Sequence, residues 1–303
     1  MEKPIAIFDI ECYPNYFLIS FLNPNTGNTK DFELSEHHTF DIKVLTKVLH
    51  SFTLVSFNGI AYDMLLIQLV LTTYMNERRL VNNYELKRLS DHIINSGMKY
   101  WETRDVYNLK FLNDVDHIDL MEVAPQTGGL KLRGCRMHSK ILQELPYEPD
   151  RELTKNEMEN IKSYCHNDLQ VTFELYEKLK EAIDLRIELS KEIGKDLRSK
   201  SDAQIGELYI ASKVAQKKGI KYWDIKQPRD ERVTYKYQPP SFLNFETELL
   251  QNAFKDACEA EYVINPHSKP IVPECFAKYC PKKGETPLVI DGIWLLIVIK
   301  PCN

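Results

Sequence analysis

The chain has 303 residues, of which 43% are hydrophobic and 27% are charged, and its formal net charge is −5. These values are typical of a globular protein with one large domain or two modest ones. The charge gives no overall basic field that would indicate a nucleic-acid partner, although a carboxylate-rich metal site would itself add negative charge. No run reaches the ~18 apolar residues that a membrane span needs, so we expect no membrane association.

The cysteines favour a reducing, cytoplasmic setting. There are seven of them, an odd and scattered set, which disfavours a disulfide framework. The first residues lead directly into an apolar strand without a signal-like core. Cys258, His267, Cys275 and Cys280 could be arranged into a zinc site, but they contain no Cys-x-x-Cys pair, and reduced cysteines are the preferred interpretation.

The first part of the chain is rich in strands. We predict strands over residues 5–11, 16–22, 29–34, 53–57 and 115–123. A turn-rich connection between the second and third of these runs indicates a hairpin, so the first three strands should be antiparallel.

Helical patterns alternate with the later strands. We predict helices over residues 40–49, 62–74, 76–97, 130–142 and 154–194. Thr154 and Glu157 have the spacing of a capping box at the start of the last helix, and Gly194 is a suitable stop. Strands first, then alternating helix and strand, indicate an α/β fold with a mixed sheet: three antiparallel strands, then parallel strands, flanked by helices.

The character of the chain changes near residue 195, where prolines and loops become frequent. We predict a domain over residues 1–194 and a smaller, mainly helical C-terminal region over residues 195–303, with helices at 201–217 and 246–260. The apolar run 288–299 has the pattern of a strand without partners, and an exposed apolar segment of that kind favours a partner chain.

The strand at 5–11 presents two carboxylates, Asp9 and Glu11, two positions apart. Side chains alternate along a strand, so both should project to the same side. Adjacent carboxylates raise each other's pKa unless a cation lies between them, and hard oxygen ligands suit Mg²⁺ or Mn²⁺. The alternative is an edge strand whose acidic residues face water.

Two further acidic sites follow in the chain. Asn58 and Tyr62 flank a strand-to-helix junction, where Asp63 could simply interact with the helix dipole. Tyr164 and Asp168 are four residues apart and share one face of the late helix. The alternative there is a packed tyrosine and a solvated aspartate, but apolar residues after Asp168 indicate that this face lies against the sheet, where an aspartate needs a partner.

In chain order these residues read Asp-x-Glu, Asn-x-x-x-Tyr-Asp and Tyr-x-x-x-Asp. This order resembles the three motifs of the DEDD superfamily of 3′–5′ exonucleases, and more closely the proofreading domains of family-B and phage-type replicative DNA polymerases. The resemblance covers about residues 4–185 and implies a ribonuclease-H-like fold. It is to the tyrosine subgroup, because position 164 is Tyr and position 163 is Ser, while His166 is on the wrong face to act in its place.

The resemblance implies hydrolysis with two Mg²⁺ or Mn²⁺ ions ~3.5–4 Å apart. Asp9 would bridge both ions. Glu11 and Asp168 would complete the first ion site, and Asp63 would hold the second, partly through water. Tyr164 would orient the attacking water, because a pKa of ~10 makes it a poor base at neutral pH.

The resemblance also implies the substrate. Asn58 and Tyr62 would contact the terminal nucleotides of a single-stranded DNA 3′ end, where an aromatic face can stack on an unpaired base. The expected product is a 5′-mononucleotide, released in proofreading during viral DNA replication, in the host cytoplasm.

The helix predicted at 130–142 is the most basic local segment. Arg133, Arg136 and Lys140 have spacing that could place them on one face, and with Lys131 they could contact a phosphate backbone; a solvated basic face is an equal alternative. Asp119 is expected to belong to the sheet rather than to the metal site, because the set of four carboxylates is complete without it.

The chain departs from a whole polymerase. It contains no Asp-Thr-Asp motif, and the ~100 residues after the exonuclease-like part are too few for palm, fingers and thumb. We therefore expect a stand-alone exonuclease or the exonuclease-bearing part of a split or truncated polymerase, with a polymerase-bearing partner chain. The alternatives are a 3′–5′ exoribonuclease and a catalytically silent nucleic-acid-binding module of a split polymerase.

Overall fold

The computed structural model describes residues 3–225 and 233–264, apart from residues 111, 113 and 126, and also residues 273 and 275. A five-stranded mixed sheet is flanked by helices, so the predicted α/β class is confirmed. The strands of this sheet are β1 (Ile5–Tyr13), β2 (Tyr16–Asn23), β3 (Asn28–Leu34), β4 (Thr53–Ser56) and β5 (Asp116–Asp119). The helices are α1 (Ile42–Ser51), α2 (Asp63–Glu77), α3 (Asn83–Asn95), α4 (Tyr100–Val106), α5 (Leu130–Met137), α6 (Lys155–Lys178), α7 (Lys180–Ile193) and α8 (Asp202–Lys218).

The strand order is β3-β2-β1-β4-β5. The pairs β1–β2 and β2–β3 are antiparallel, while β1–β4 and β4–β5 are parallel, as the prediction of three antiparallel strands followed by parallel ones requires. The parallel strands β1, β4 and β5 therefore end at the same edge of the sheet, so the residues that follow β4 and β5 come close to each other.

Side-chain alternation along β1 divides the interior into layers. Even-numbered residues such as Phe8 pack with buried residues of α1, α2 and α3. Ile7 and Tyr13 lie on the other side, in clusters that contain residues of α6. Asp9 and Glu11 occupy positions between them on that side, so the two carboxylates of β1 face α6.

The predicted continuous helix over residues 154–194 is wrong at Leu179, where it divides into α6 and α7. The backbone turns there (φ −94°, ψ 3°), and the Leu179 amide bonds to the carbonyl oxygens of Leu175 and Tyr176. The turn keeps the Leu179 side chain in the core with Leu175 and Ile183. The predicted limits are otherwise confirmed: Thr154 and Glu157 form the capping box, and Gly194 ends α7 with φ 66°.

Two other predicted helices are shorter than expected. The segment 76–97 contains the end of α2, which stops at the left-handed residue Arg78, and the separate helix α3, which is capped by Asn82. The helix predicted to residue 142 ends at Met137, because His138 is left-handed (φ 60°). Helix α4 was not predicted.

The C-terminal region contains strands as well as helices. After α8 come α9 (Tyr222–Ile225), β6 (Val233–Lys236), α10 (Glu248–Glu259) and β7 (Glu261–Ile264). The pair β6–β7 forms a small antiparallel sheet that the prediction of a mainly helical region did not include. The chain divides into two compact units, Met1–Val214 and Ala215–Asn303. The predicted domain boundary after residue 194 stays a prediction.

Some predictions fall on residues that are not described. The apolar run 288–299 lies outside the described residues, as do His267 and Cys280 of the zinc alternative. The cysteines that are described, Cys12, Cys135, Cys165, Cys258 and Cys275, are free thiols. Within the described part of the chain, no helix is both long enough and apolar enough to cross a membrane.

Candidate metal centre

Strand β1 and helix α6 bring a first group of side chains together. One oxygen each of Asp9 and Glu11 and the Sγ atom of Cys165 lie within 4.8 Å of one another. The Cys165 thiol donates to Asp9 Oδ2 at 3.8 Å. Tyr164 and Asp168 are one turn apart on α6, and each shifts the pKa of the other, as expected for residues four apart on one helix face.

The segment between β4 and α2 brings the third acidic element. Asp63 is the first residue of α2 and is 3% exposed. Its pKa is raised well above the ordinary value by burial and by Asp9, so its carboxylate faces the one on β1. Tyr62 is partly buried, and its hydroxyl lies 2.7 Å from Ser90 Oγ of α3. Asn58 follows β4 with a left-handed backbone (φ 67°).

Of the four predicted carboxylates, Asp9 and Glu11 lie in the close group with Cys165, while Asp63 and Asp168 act on Glu11 through their charge. Burial raises the pKa of Glu11 well above its ordinary value, and Asp9, Asp168 and Asp63 each raise it further. Burial, together with the Asp168 carboxylate, raises the pKa of Asp9 from 3.8 to about 7. The pKa of Asp168 is also raised by burial, although the hydrogen bond from Tyr164 opposes that shift.

Asp9, Glu11 and Cys165 are a group of side chains that could hold a metal ion. Several buried carboxylates that repel one another are stabilised in their ionised form by a positive charge between them, and Mg²⁺ and Mn²⁺ prefer carboxylate oxygens. The observation that carries the fit is the approach of one oxygen each of Asp9 and Glu11 within 4.8 Å, and burial and neighbouring carboxylates raise the pKa of both groups. Cys165 adds a softer donor beside two of the carboxylates.

Helix α5 contributes one positive charge to the site. The Lys131 ammonium lies 4.9 Å from the centre of the Tyr164 ring. Lys131 also lowers the pKa of both Glu11 and Asp168, which places it near the carboxylates. The basic helix therefore begins beside the candidate site.

The predicted basic face of Arg133, Arg136 and Lys140 is wrong. Arg133 is 5% exposed, and its guanidinium donates to the carbonyl oxygens of Pro125 and Gly128. Lys140 lies beyond the end of α5 and cannot continue the helical spacing. Arg133 therefore has a structural role, in which it fastens the loop before α5.

His166 lies away from the carboxylates, as expected from its position on α6. Its Nε2 atom is 2.9 Å from Asp31 Oδ1 of β3, and Ser20 donates to the same oxygen. Asp119 ends β5, as expected of a sheet residue, and raises the pKa of Asp63. It also accepts hydrogen bonds from the segment after β4.

Two residues of the site were not predicted. Cys165 is between Tyr164 and His166 in sequence, and nothing in its neighbours marks it as a group that faces Asp9. The contact of Asp119 with the β4–α2 segment depends on the pairing of β4 with β5, which places Ser56 opposite Asp119. A signal existed for it, because a polar residue at the end of a neighbouring parallel strand reaches the same edge of the sheet.

Comparison with known proteins identifies no relative: no family model matches the chain, and no curated protein matches its sequence. The interpretation of the site therefore depends on its residues and their geometry.

Proposed function

We propose that the chain is a metal-dependent 3′–5′ exonuclease with a ribonuclease-H-like fold, which removes 5′-mononucleotides from single-stranded DNA 3′ ends during proofreading. One observation carries the proposal. Asp9 and Glu11 lie side by side on β1, and Asp63 of α2 and Asp168 of α6 raise the pKa of Glu11, so carboxylates from three elements in the order of the DEDD motifs influence one another. A mixed sheet with three antiparallel strands before the parallel ones is compatible with that fold.

The four carboxylates would hold two Mg²⁺ or Mn²⁺ ions. When bound, such ions supply an activated water and stabilise negative charge on the leaving oxygen. Tyr164 cannot act as a base near neutral pH, because burial and the neighbouring Asp168 raise its pKa above the ordinary value. Its hydroxyl is a hydrogen-bond donor in the site, which suits a role in orienting a water molecule.

The remaining residues favour a phosphodiester substrate. Lys131 brings a cation next to Tyr164, where a phosphate group of the substrate would be attracted. Asn58 and Tyr62 belong to the segment that leads into Asp63, and we propose that they contact the terminal nucleotides. We also propose a polymerase on a partner chain, because the apolar run 288–299 has the sequence pattern of a strand without partners.

The test measures the release of mononucleotides from a DNA primer with a mismatched 3′ end, once with Mn²⁺ and once with a chelator. An RNA strand of the same sequence is digested in parallel. Stepwise shortening of the DNA that the chelator stops is the expected result. The double variant Asp9→Ala with Glu11→Ala should be folded and inactive, and Glu36→Gln, which removes an exposed carboxylate, should be as active as the wild type.

Faster digestion of the RNA would replace DNA by RNA as the substrate. No shortening of either strand, from a folded protein that binds single strands, would identify a silent binding module instead. The complete set of four carboxylates argues against that outcome, since a binding module has no need to bury them together.

A further inference from the structure

A buried carboxylate outside the proposed metal ligands fastens the segment between β4 and α2. Asp119 is 6% exposed, and both of its oxygens accept backbone N–H groups. Oδ1 accepts from Asn58 at 2.8 Å and from Met121 at 2.9 Å, and Oδ2 accepts from Ile60 at 2.9 Å. One side chain thus connects the end of β5 to two amides of the neighbouring connection.

The fastened segment has an irregular backbone that needs such a partner. Asn58 is left-handed (φ 67°), a conformation in which successive amides can turn towards one anion. The Asn58 carbonyl accepts the amide of Ala61, and the Gly59 carbonyl accepts that of Met64, so the turn leads directly into α2. Without the carboxylate, the amides of Asn58 and Ile60 would lose these partners.

The position of Asp63 follows from this turn. Asp63 comes three residues after Ile60 and begins α2, so any shift of the turn moves its carboxylate relative to Asp9. A neutral side chain could not replace Asp119. Asparagine has one carbonyl oxygen and an amide group that would oppose one of the three donors.

On the basis of the proposed function, we propose that Asp119 is a positioning residue. Its carboxylate holds the turn at Asn58 and Ile60 and so places Asp63 among the metal ligands, without holding an ion itself. This role differs from that of the four proposed ligands, because Asp119 holds the backbone of the segment before α2 rather than an ion.

The test compares Asp119→Asn with Asp116→Asn in the full chain. Asp116 is a matched control on the same strand: its carboxylate accepts from Thr53 Oγ1 at 2.6 Å and pairs with Arg198 at 2.7 Å, away from the ligands. Each variant is titrated with Mn²⁺, and kcat and KM for mononucleotide release are measured at low and high Mn²⁺.

For Asp119→Asn we expect roughly tenfold weaker Mn²⁺ binding and a kcat that falls roughly tenfold or more at low Mn²⁺, by analogy with residues that orient metal ligands. High Mn²⁺ should restore much of the loss, which general destabilisation of the fold would not allow. Asp116→Asn should remain within about twofold of the wild type in both measurements. Equal Mn²⁺ binding and equal kcat in the two variants would overturn the proposal.

A measurement on the wild type covers the case in which Asp119→Asn does not fold. The amides of Asn58 and Ile60 should exchange with solvent as slowly as those of β4. Rapid exchange of both amides would contradict the proposal that Asp119 holds this turn. A wild-type protein that binds Mn²⁺ but releases no nucleotide would refute the proposed exonuclease. In that case Mn²⁺ titration and amide exchange would still decide the role of Asp119.

Discussion

Repulsion within the carboxylate cluster links the stability of the metal-free protein to pH through Asp9. Its folded-state pKa is about 7, above the ordinary value of 3.8, because of burial and the Asp168 carboxylate. Between those two values the folded state binds more protons than the unfolded chain, so this group lowers the free energy of unfolding as pH rises. We expect Asp9→Asn to be more stable than the wild type at pH 8 in chelator, by about 1–3 kcal/mol.

Urea denaturation of both proteins across this pH window, in chelator, measures the effect. The difference should shrink as pH falls from 8, because Asp9 is protonated in both states only well below its ordinary pKa of 3.8. Glu36→Gln, which removes an exposed carboxylate, is the control and should change little. Added Mn²⁺ should reverse the order, because an ion that binds the folded wild type stabilises it. A wild type that is the more stable protein at pH 8 in chelator would contradict the repulsion argument.

The Tyr164 hydroxyl gives a second prediction at this scale. Tyr164→Phe removes the hydroxyl beside Asp168 but no proposed metal ligand, so mononucleotide release should slow by roughly tenfold to a hundredfold rather than stop. Because the raised pKa of Tyr164 keeps its proton in place, the pH–rate profile of the variant should parallel that of the wild type. If the high-pH limb of the pH–rate profile disappears in the variant, Tyr164 is instead a group that titrates during the reaction.

Two pairs of side chains could be placed together from the sequence because each pair depends on local geometry, while their role as metal ligands stays a prediction. Alternation on β1 placed Asp9 and Glu11 together, and helical spacing placed Tyr164 above Asp168. Asp119 and Cys165 depend instead on tertiary contacts: strand pairing for the first, and the packing of α6 on β1 for the second. Arg133 shows the opposite error, since a basic residue at helical spacing was expected at the surface and is buried on backbone carbonyls.

At the scale of elements, the turn after β4 is held by close approach as well as by Asp119. A Cβ atom at Gly59 would lie 2.0 Å from Ser56 Oγ and 2.9 Å from Ser56 Cβ. Ser56 cannot move freely, because its Oγ is 2.8 Å from Nε2 of the partly buried His117. The backbone at Gly59 must shift if a side chain is added.

We therefore expect Gly59→Ala to lower the free energy of unfolding by about 1–3 kcal/mol and to weaken Mn²⁺ binding through the displaced turn. Gly206→Ala is a matched control in α8, where an added Cβ meets nothing within 4 Å, and it should raise stability by about 0.5–1 kcal/mol. Chemical denaturation and Mn²⁺ titration of both variants measure the effects. Equal free energies of unfolding for the two variants would show that the turn accommodates the added methyl group without loss of stability.

Elements with strong local signals were predicted well, and those fixed by the core were not. The capping box at Thr154 and the glycine at 194 mark their helix ends in the sequence itself. The sequence does not indicate the break at Leu179, because leucine favours a helix. The break there accompanies the packing of the Leu179 side chain in the core. The β6–β7 pair was missed because two four-residue strands show too little alternation to be distinguished from loops.

At the scale of the whole molecule, the carboxylates lie in the first compact unit, but the end of that unit is not at residue 194. Leu197 is fully buried, and Ser199 Oγ accepts the amide of Asp119. The guanidinium of Arg186, 2% exposed, donates to the Lys200 carbonyl and to Asp202. These contacts connect residues 197–202 to β5 and α7, so the predicted boundary would remove partners of buried polar groups.

Two truncated chains test this. Residues 1–219 keep α8, which Glu192 connects to α7 through Lys213 and Tyr209, and this chain should unfold cooperatively and retain mononucleotide release. Residues 1–194 leave Arg186 without the Lys200 carbonyl and the Asp202 carboxylate but keep its bond to the Ala182 carbonyl, so this chain should be less stable by roughly 3 kcal/mol or more, since a buried charge has lost two of its acceptors. Thermal unfolding followed by circular dichroism and the primer assay compare them, with Asp9→Ala in the longer chain as the inactive control. A stable, active chain of residues 1–194 would support the boundary predicted from sequence. A folded but inactive chain of residues 1–219 would instead assign residues 220–303 a part in binding the substrate.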